Sequence, residues 1–118
     1  MRRSRLAAVV LLVLVAGVAP GFVSAASYTI TAEDWARPRS GERVAQLPAL
    51  RGLASEIATH PRTRITIRYA GGDEGLLWAE ELRGWLVALG ISGRRIQLRP
   101  GLESDDRIVV KTEHSGDS

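Results

Sequence analysis

A chain of 118 residues has room for one small domain, and with no cysteine it excludes a disulfide framework, a thiolate nucleophile and a Cys-ligated metal. The formal net charge is +3, but Arg2, Arg3 and Arg5 supply three of the sixteen basic side chains, leaving thirteen against thirteen acids. After the N-terminal segment the chain therefore has no overall positive surplus to draw in nucleic acid or anionic lipid.

The first elements are those of an export signal. Arg2, Arg3 and Arg5 precede an uncharged Leu/Val/Ala-rich run from Leu6 to Ala19. Pro20 and Gly21 break a helix there, and Val23-Ser24-Ala25 offers small residues for cleavage. The expectation is a signal peptide over residues 1–25, a domain over 26–112, a disordered tail over 113–118, and a periplasmic or secreted location. The alternative is a retained anchor, because Leu6 to Val23 is close to the length that spans a bilayer. Membrane contact is expected only if the leader stays uncleaved.

Tyr28 to Thr31 alternates as a first strand. Ala32 to Gly41, with Trp35, Arg37, Pro38 and Arg39, is the longest irregular stretch and the expected functional loop. Val44, Leu47, Leu50, Leu53, Ala54 and Ile57 recur at helical spacing. Pro48 fits the first turn of a helix running to about Thr59, where its missing N–H costs nothing, and His60-Pro61 ends it. Gly52 weakens that helix by about 1 kcal/mol relative to Ala.

Arg64 to Tyr69 is the clearest strand, and Ala70-Gly71-Gly72 turns the chain into a second helix from Asp73 to Leu89 with Gly90 as its cap. Trp78, Leu82, Trp85, Leu86 and Leu89 form its apolar stripe. Arg95–Arg99 and Arg107–Thr112 are the third and fourth strands. The two strands flanking the second helix should lie parallel as a βαβ unit. The expected fold is α+β, a two-layer βαβαββ sandwich whose mixed sheet carries two helices on one face.

The segment from Arg64 to Leu98 resembles the heart of an OmpA-like peptidoglycan-binding domain. Ala79, Leu82, Leu86, Gly90 and Ile91 fall at that family's helix spacings, and Arg95-Ile96 matches the opening of the strand that follows. The resemblance implies the scaffold of the family. It does not carry over the ligand site. Trp78 stands where the family has the Arg that grips diaminopimelate, and Ala70-Gly71-Gly72-Asp73 replaces Gly-His-Thr-Asp with a shorter connection.

Gly71-Gly72-Asp73-Glu74-Gly75 also invites comparison with the Gly-Gly-Asp-Glu-Phe signature of diguanylate cyclases, but here it opens a helix in a chain too short for such a domain. Asp73 and Glu74 instead complement the helix N-terminus, and they would repel a phosphate. For catalysis, neither His60 nor His114 is placed for a triad or a metal site, and no nucleophile–base pair is visible. No enzyme activity, cofactor or metal is expected. Arg64 and Arg68, like Arg95 and Arg99, oppose the inward Ile positions of their strands, so adjacent strands would make an Arg-rich open face. The expectation is an accessory module that binds an envelope protein through the Trp35–Arg37–Arg39 loop or through Arg68 and Arg99. A diverged peptidoglycan binder with a site near Asp73 is the alternative.

Overall fold

The computed structural model describes residues 23–37 and 40–115. Its elements are β1 (Val23–Thr31), α1 (Ala32–Trp35), α2 (Gly41–Gln46), α3 (Pro48–Thr59), β2 (Arg64–Tyr69), α4 (Asp73–Ala88), a short 3-10 turn (Gly93–Arg95), β3 (Ile96–Pro100) and β4 (Arg107–Ser115). The strands form one mixed sheet in the order β1-β4-β2-β3. β2 and β3 are parallel, and β4 runs antiparallel to both β1 and β2. This is the expected α+β two-layer arrangement, and α4 makes the βαβ crossover.

One parity of every strand builds the core. Ile30, Ile65, Ile67, Tyr69, Ile96, Ile108 and Val110 face Leu50 and Leu53 of α3 and Ala79, Leu82 and Leu86 of α4. Each such large side chain contributes about 1.5–3 kcal/mol on leaving water, which a 118-residue chain without disulfides depends on. Trp78, Trp85, Ile57 and Leu98 pack around the margin. Leu89, expected in the stripe, is 45% exposed: the helix ends at Ala88 and Leu89 is its C-cap.

The helix ends follow local chemistry. Pro48 occupies the first turn of α3. Gly90 adopts φ 107°, with its own N–H on Val87 O at 3.0 Å and that of Ile91 on Leu86 O at 3.0 Å, a glycine-dependent C-terminal cap. Thr63, buried ahead of β2, closes the α3–β2 turn by donating from Oγ1 to His60 O at 2.6 Å.

Three expectations need correction. The stretch from Ala32 to Gly41 is not irregular throughout: Thr31 Oγ1 accepts from Asp34 N and starts α1, and Ser40 caps α2 in the same way. The first strand begins at Val23 and the last reaches Ser115, because Val23–Ala25 pair with Glu113–Ser115 and Arg64 pairs Glu113 from the other side. The tail expected from Glu113 onward is thus strand up to Ser115. Residues 116–118 and 1–22 lie outside the described residues.

Strand direction defines two poles. The starts of β1, β2 and β3 and the end of β4 share one pole with the C-terminal ends of α3 and α4. The opposite pole holds α1, the Gly71–Glu74 turn and the β3–β4 loop.

Candidate functional site

The sheet face turned away from the helices takes the other parity of each strand. In register across it stand Thr29, Val109, Arg68 and Arg99, then Ser27, Lys111, Thr66 and Gln97, then Ala25, Glu113 and Arg64. None of these belongs to the core, and Arg64, Gln97, Arg99, Lys111 and Glu113 are exposed. Arg68 and Arg99 are directly opposed on neighbouring strands. Like charges so placed repel. Among the described residues neither guanidinium meets a carboxylate: Arg99 donates to Gln97 Oε1 at 3.4 Å, and Arg68 Nε is buried without a partner. Arg68 leans over the β3–β4 turn, where Gly101 takes φ 106°. A hollow of about 370 Å³ lies over this set, lined by Ser27, Thr66, Arg68, Arg99, Lys111 and Glu113 among others.

A second hollow of about 430 Å³ opens where β2 turns into α4, and Asp73, Trp78, Asp105 and Arg107 line it. Gly72 takes φ 104° at the start of α4, and Asp73 and Glu74 occupy its first turn without a capping side chain. Arg107 Nε sits 2.9 Å from Asp106 Oδ1. The hydrogen bonds from Arg107 and Ser104 hold the Asp106 carboxyl down at about 2, and the same pairing raises Arg107 further. Both groups are exposed, so this pair orients the hollow's rim more than it stabilises the fold. Trp78 Nε1 is buried with no hydrogen-bond partner.

A third cluster was not anticipated. Glu56 on α3 accepts from Tyr28 Oη at 2.7 Å and from Thr112 Oγ1 at 2.7 Å, and His114 Nε2 lies 3.5 Å away. His114 stacks on His60 with ring centroids 3.7 Å apart. Burial and the neighbouring carboxylate push Tyr28 up from 10.0 to about 12. The available signal was Glu56 itself, three residues beyond Leu53 on the packed side of a helix. His114 joins the cluster only because β4 continues beyond Thr112. The cluster ties α3 to β1 and β4, and its carboxylate is occupied by the Tyr28 and Thr112 hydroxyls. Among the described residues no group of His, Asp and Glu is placed to hold a metal ion.

The residues expected at the site thus separate. Arg68 and Arg99 come together, while Asp73 lines the other hollow. Arg37 is exposed after α1. Trp35 is buried rather than exposed, at 7%, with its ring 6.2 Å from Trp78, because α1 turns it into the core. Arg39 lies outside the described residues. The described residues include no helix long and apolar enough to cross a membrane. No family model matches the chain, and no curated protein matches it either.

Proposed function

We propose that this domain is a non-catalytic binding module of the cell envelope that docks an acidic segment of a partner protein on its open sheet face. The observation that carries the reading is the opposed pair Arg68 and Arg99, flanked by Lys111; among the described residues neither is in an ion pair, although Glu113 lines the same hollow. Arginine's planar fork suits bidentate capture of carboxylates, and an incoming acid would relieve the repulsion between the two. A labelled oligoglutamate peptide is the test ligand. It should bind the full chain with an affinity that falls as salt rises, and the double change Arg68→Glu with Arg99→Glu should abolish binding at nearly unchanged melting temperature. Binding that survives the double change refutes the reading.

One observation favours a second reading, a diverged peptidoglycan binder. Asp73 and Arg107 line the same hollow, so an arginine from β4 accompanies the acid that lacks its expected helix partner. Under this reading the protein sediments with purified sacculi, diaminopimelyl peptide competes it off, and Asp73→Asn prevents it. Protein left in the supernatant excludes it.

A further inference from the structure

We propose that the pole at which the described chain begins is a seat for anionic phospholipid headgroups. Val23 stands at this pole, and the sequence before it contains the uncharged run from Leu6 to Ala19, preceded by three arginines. Around the same pole Arg62, Arg64, Arg94 and Arg95 line one open groove of about 750 Å³, in which Glu113 is the single acid against these arginines. Arg62, Arg64 and Arg94 are exposed.

The platform is tied together. Arg95 donates from Nη1 to Pro61 O, joining the α3–β2 loop to the start of β3. Arg83 donates from Nη2 to Gly93 O at 3.2 Å and holds the segment that carries Arg94. Val87 and Leu89, 43% and 45% exposed, add apolar surface where α4 ends. Beside them Ile57, Ala58 and Ile91 line a shallow apolar groove.

Charge decides which pole meets the surface. The acids of α1, of the Gly71–Glu74 turn and of the β3–β4 loop gather at the opposite pole, where they outnumber Arg37 and Arg107. Leu76 and Leu77 are also exposed, but they follow Asp73 and Glu74 and share that negative environment. Balanced overall charge therefore hides a separation along the strand axis. An anionic surface attracts the arginine pole and repels the other within a Debye length, about 8 Å at physiological salt. The two faces of the sheet then stand beside the membrane. The inference does not rest on the docking reading: Arg99 lines both hollows, but Arg62 and Arg94 line only the groove at the pole.

The test uses the full chain in vesicles. Because the chain has no cysteine, Ser92→Cys at the arginine pole and Leu77→Cys on the first half of α4 each give a unique site for a bimane label. Vesicles contain phosphatidylcholine with a headgroup spin label as quencher, with or without phosphatidylglycerol. Position 92 should be quenched strongly and position 77 weakly, and only when phosphatidylglycerol is present. Raised salt, Arg62→Glu with Arg94→Glu, or the milder Arg62→Gln with Arg94→Gln should bring position 92 down to the level of position 77. Melting curves of both arginine variants identify any loss that comes from unfolding. Equal quenching at the two positions, or quenching at 92 that ignores phosphatidylglycerol or survives in a folded arginine variant, overturns the proposal.

Discussion

Gly52 offers a sign-reversing test of how α3 meets the sheet. It lies inside a helix, where replacing Gly by Ala gains about 1 kcal/mol of propensity. Yet a Cβ built at Gly52 would stand 2.7 Å from Cε1 and 3.2 Å from Cδ1 of Tyr28. The ring cannot swing aside freely, because its hydroxyl donates to Glu56 Oε1 at 2.7 Å and its body packs on the core. Displacing it forfeits a hydrogen bond to a charged acceptor, worth about 1.5–3 kcal/mol, and so outweighs the gain. Gly52→Ala should destabilise the protein by about 0.5–2 kcal/mol, lowering Tm by several degrees at roughly 4–8 °C per kcal/mol. In a Tyr28→Ala background the obstacle is gone, and the same change should stabilise by about 1 kcal/mol. Urea and thermal unfolding of the four members of this cycle measure both signs. A Gly52→Ala protein that is more stable in the native background, or a sign shared by both backgrounds, refutes the close-approach argument.

Two further predictions concern stability. Below pH 10 the contribution of Tyr28 is fully present; between 10 and about 12 the unfolded chain loses the phenolic proton while the folded one keeps it. Stability should therefore fall as pH rises through that window, and denaturation curves of Tyr28→Phe should lack this part of the fall. On α4, a Cβ at Gly84 meets nothing within 4 Å, so Gly84→Ala should stabilise by about 1 kcal/mol. Gly75→Ala on the same helix should destabilise by about 2 kcal/mol or more, because its Cβ would collide with the Ala70 backbone carbonyl. Paired melting curves that move both proteins the same way would contradict this distinction.

The Arg68–Arg99 face and the arginine pole can serve one molecule together. A domain held with its β1 start toward a lipid surface leaves the open face accessible from the side. The two sets of substitutions separate the roles: Arg68 with Arg99 should affect the acidic peptide, and Arg62 with Arg94 the orientation on vesicles.

Local patterns were enough for the framework. Alternation in Arg64–Tyr69, helical spacing through Leu82 and Leu86, Pro48 at a first turn and Gly90 at a cap each depend on a few neighbouring residues, so the α+β order and the parallel pairing across α4 were legible. The same strand parity placed Arg68 and Arg99 on one face, and adjacency made them a pair. What chain order could not supply was long-range pairing. The length of β1 depends on Glu113–Ser115 opposite it, and Trp35 becomes core only because α1 faces Trp78. Glu56, Tyr28, Thr112, His114 and His60 meet from three elements, although nothing in their local spacing relates them. Charge shows the contrast most plainly. Composition determines only its near balance beyond Arg5, whereas the gathering of Arg62, Arg64, Arg94 and Arg95 at one pole and of most loop acids at the other exists only once strand direction assigns each loop to a pole.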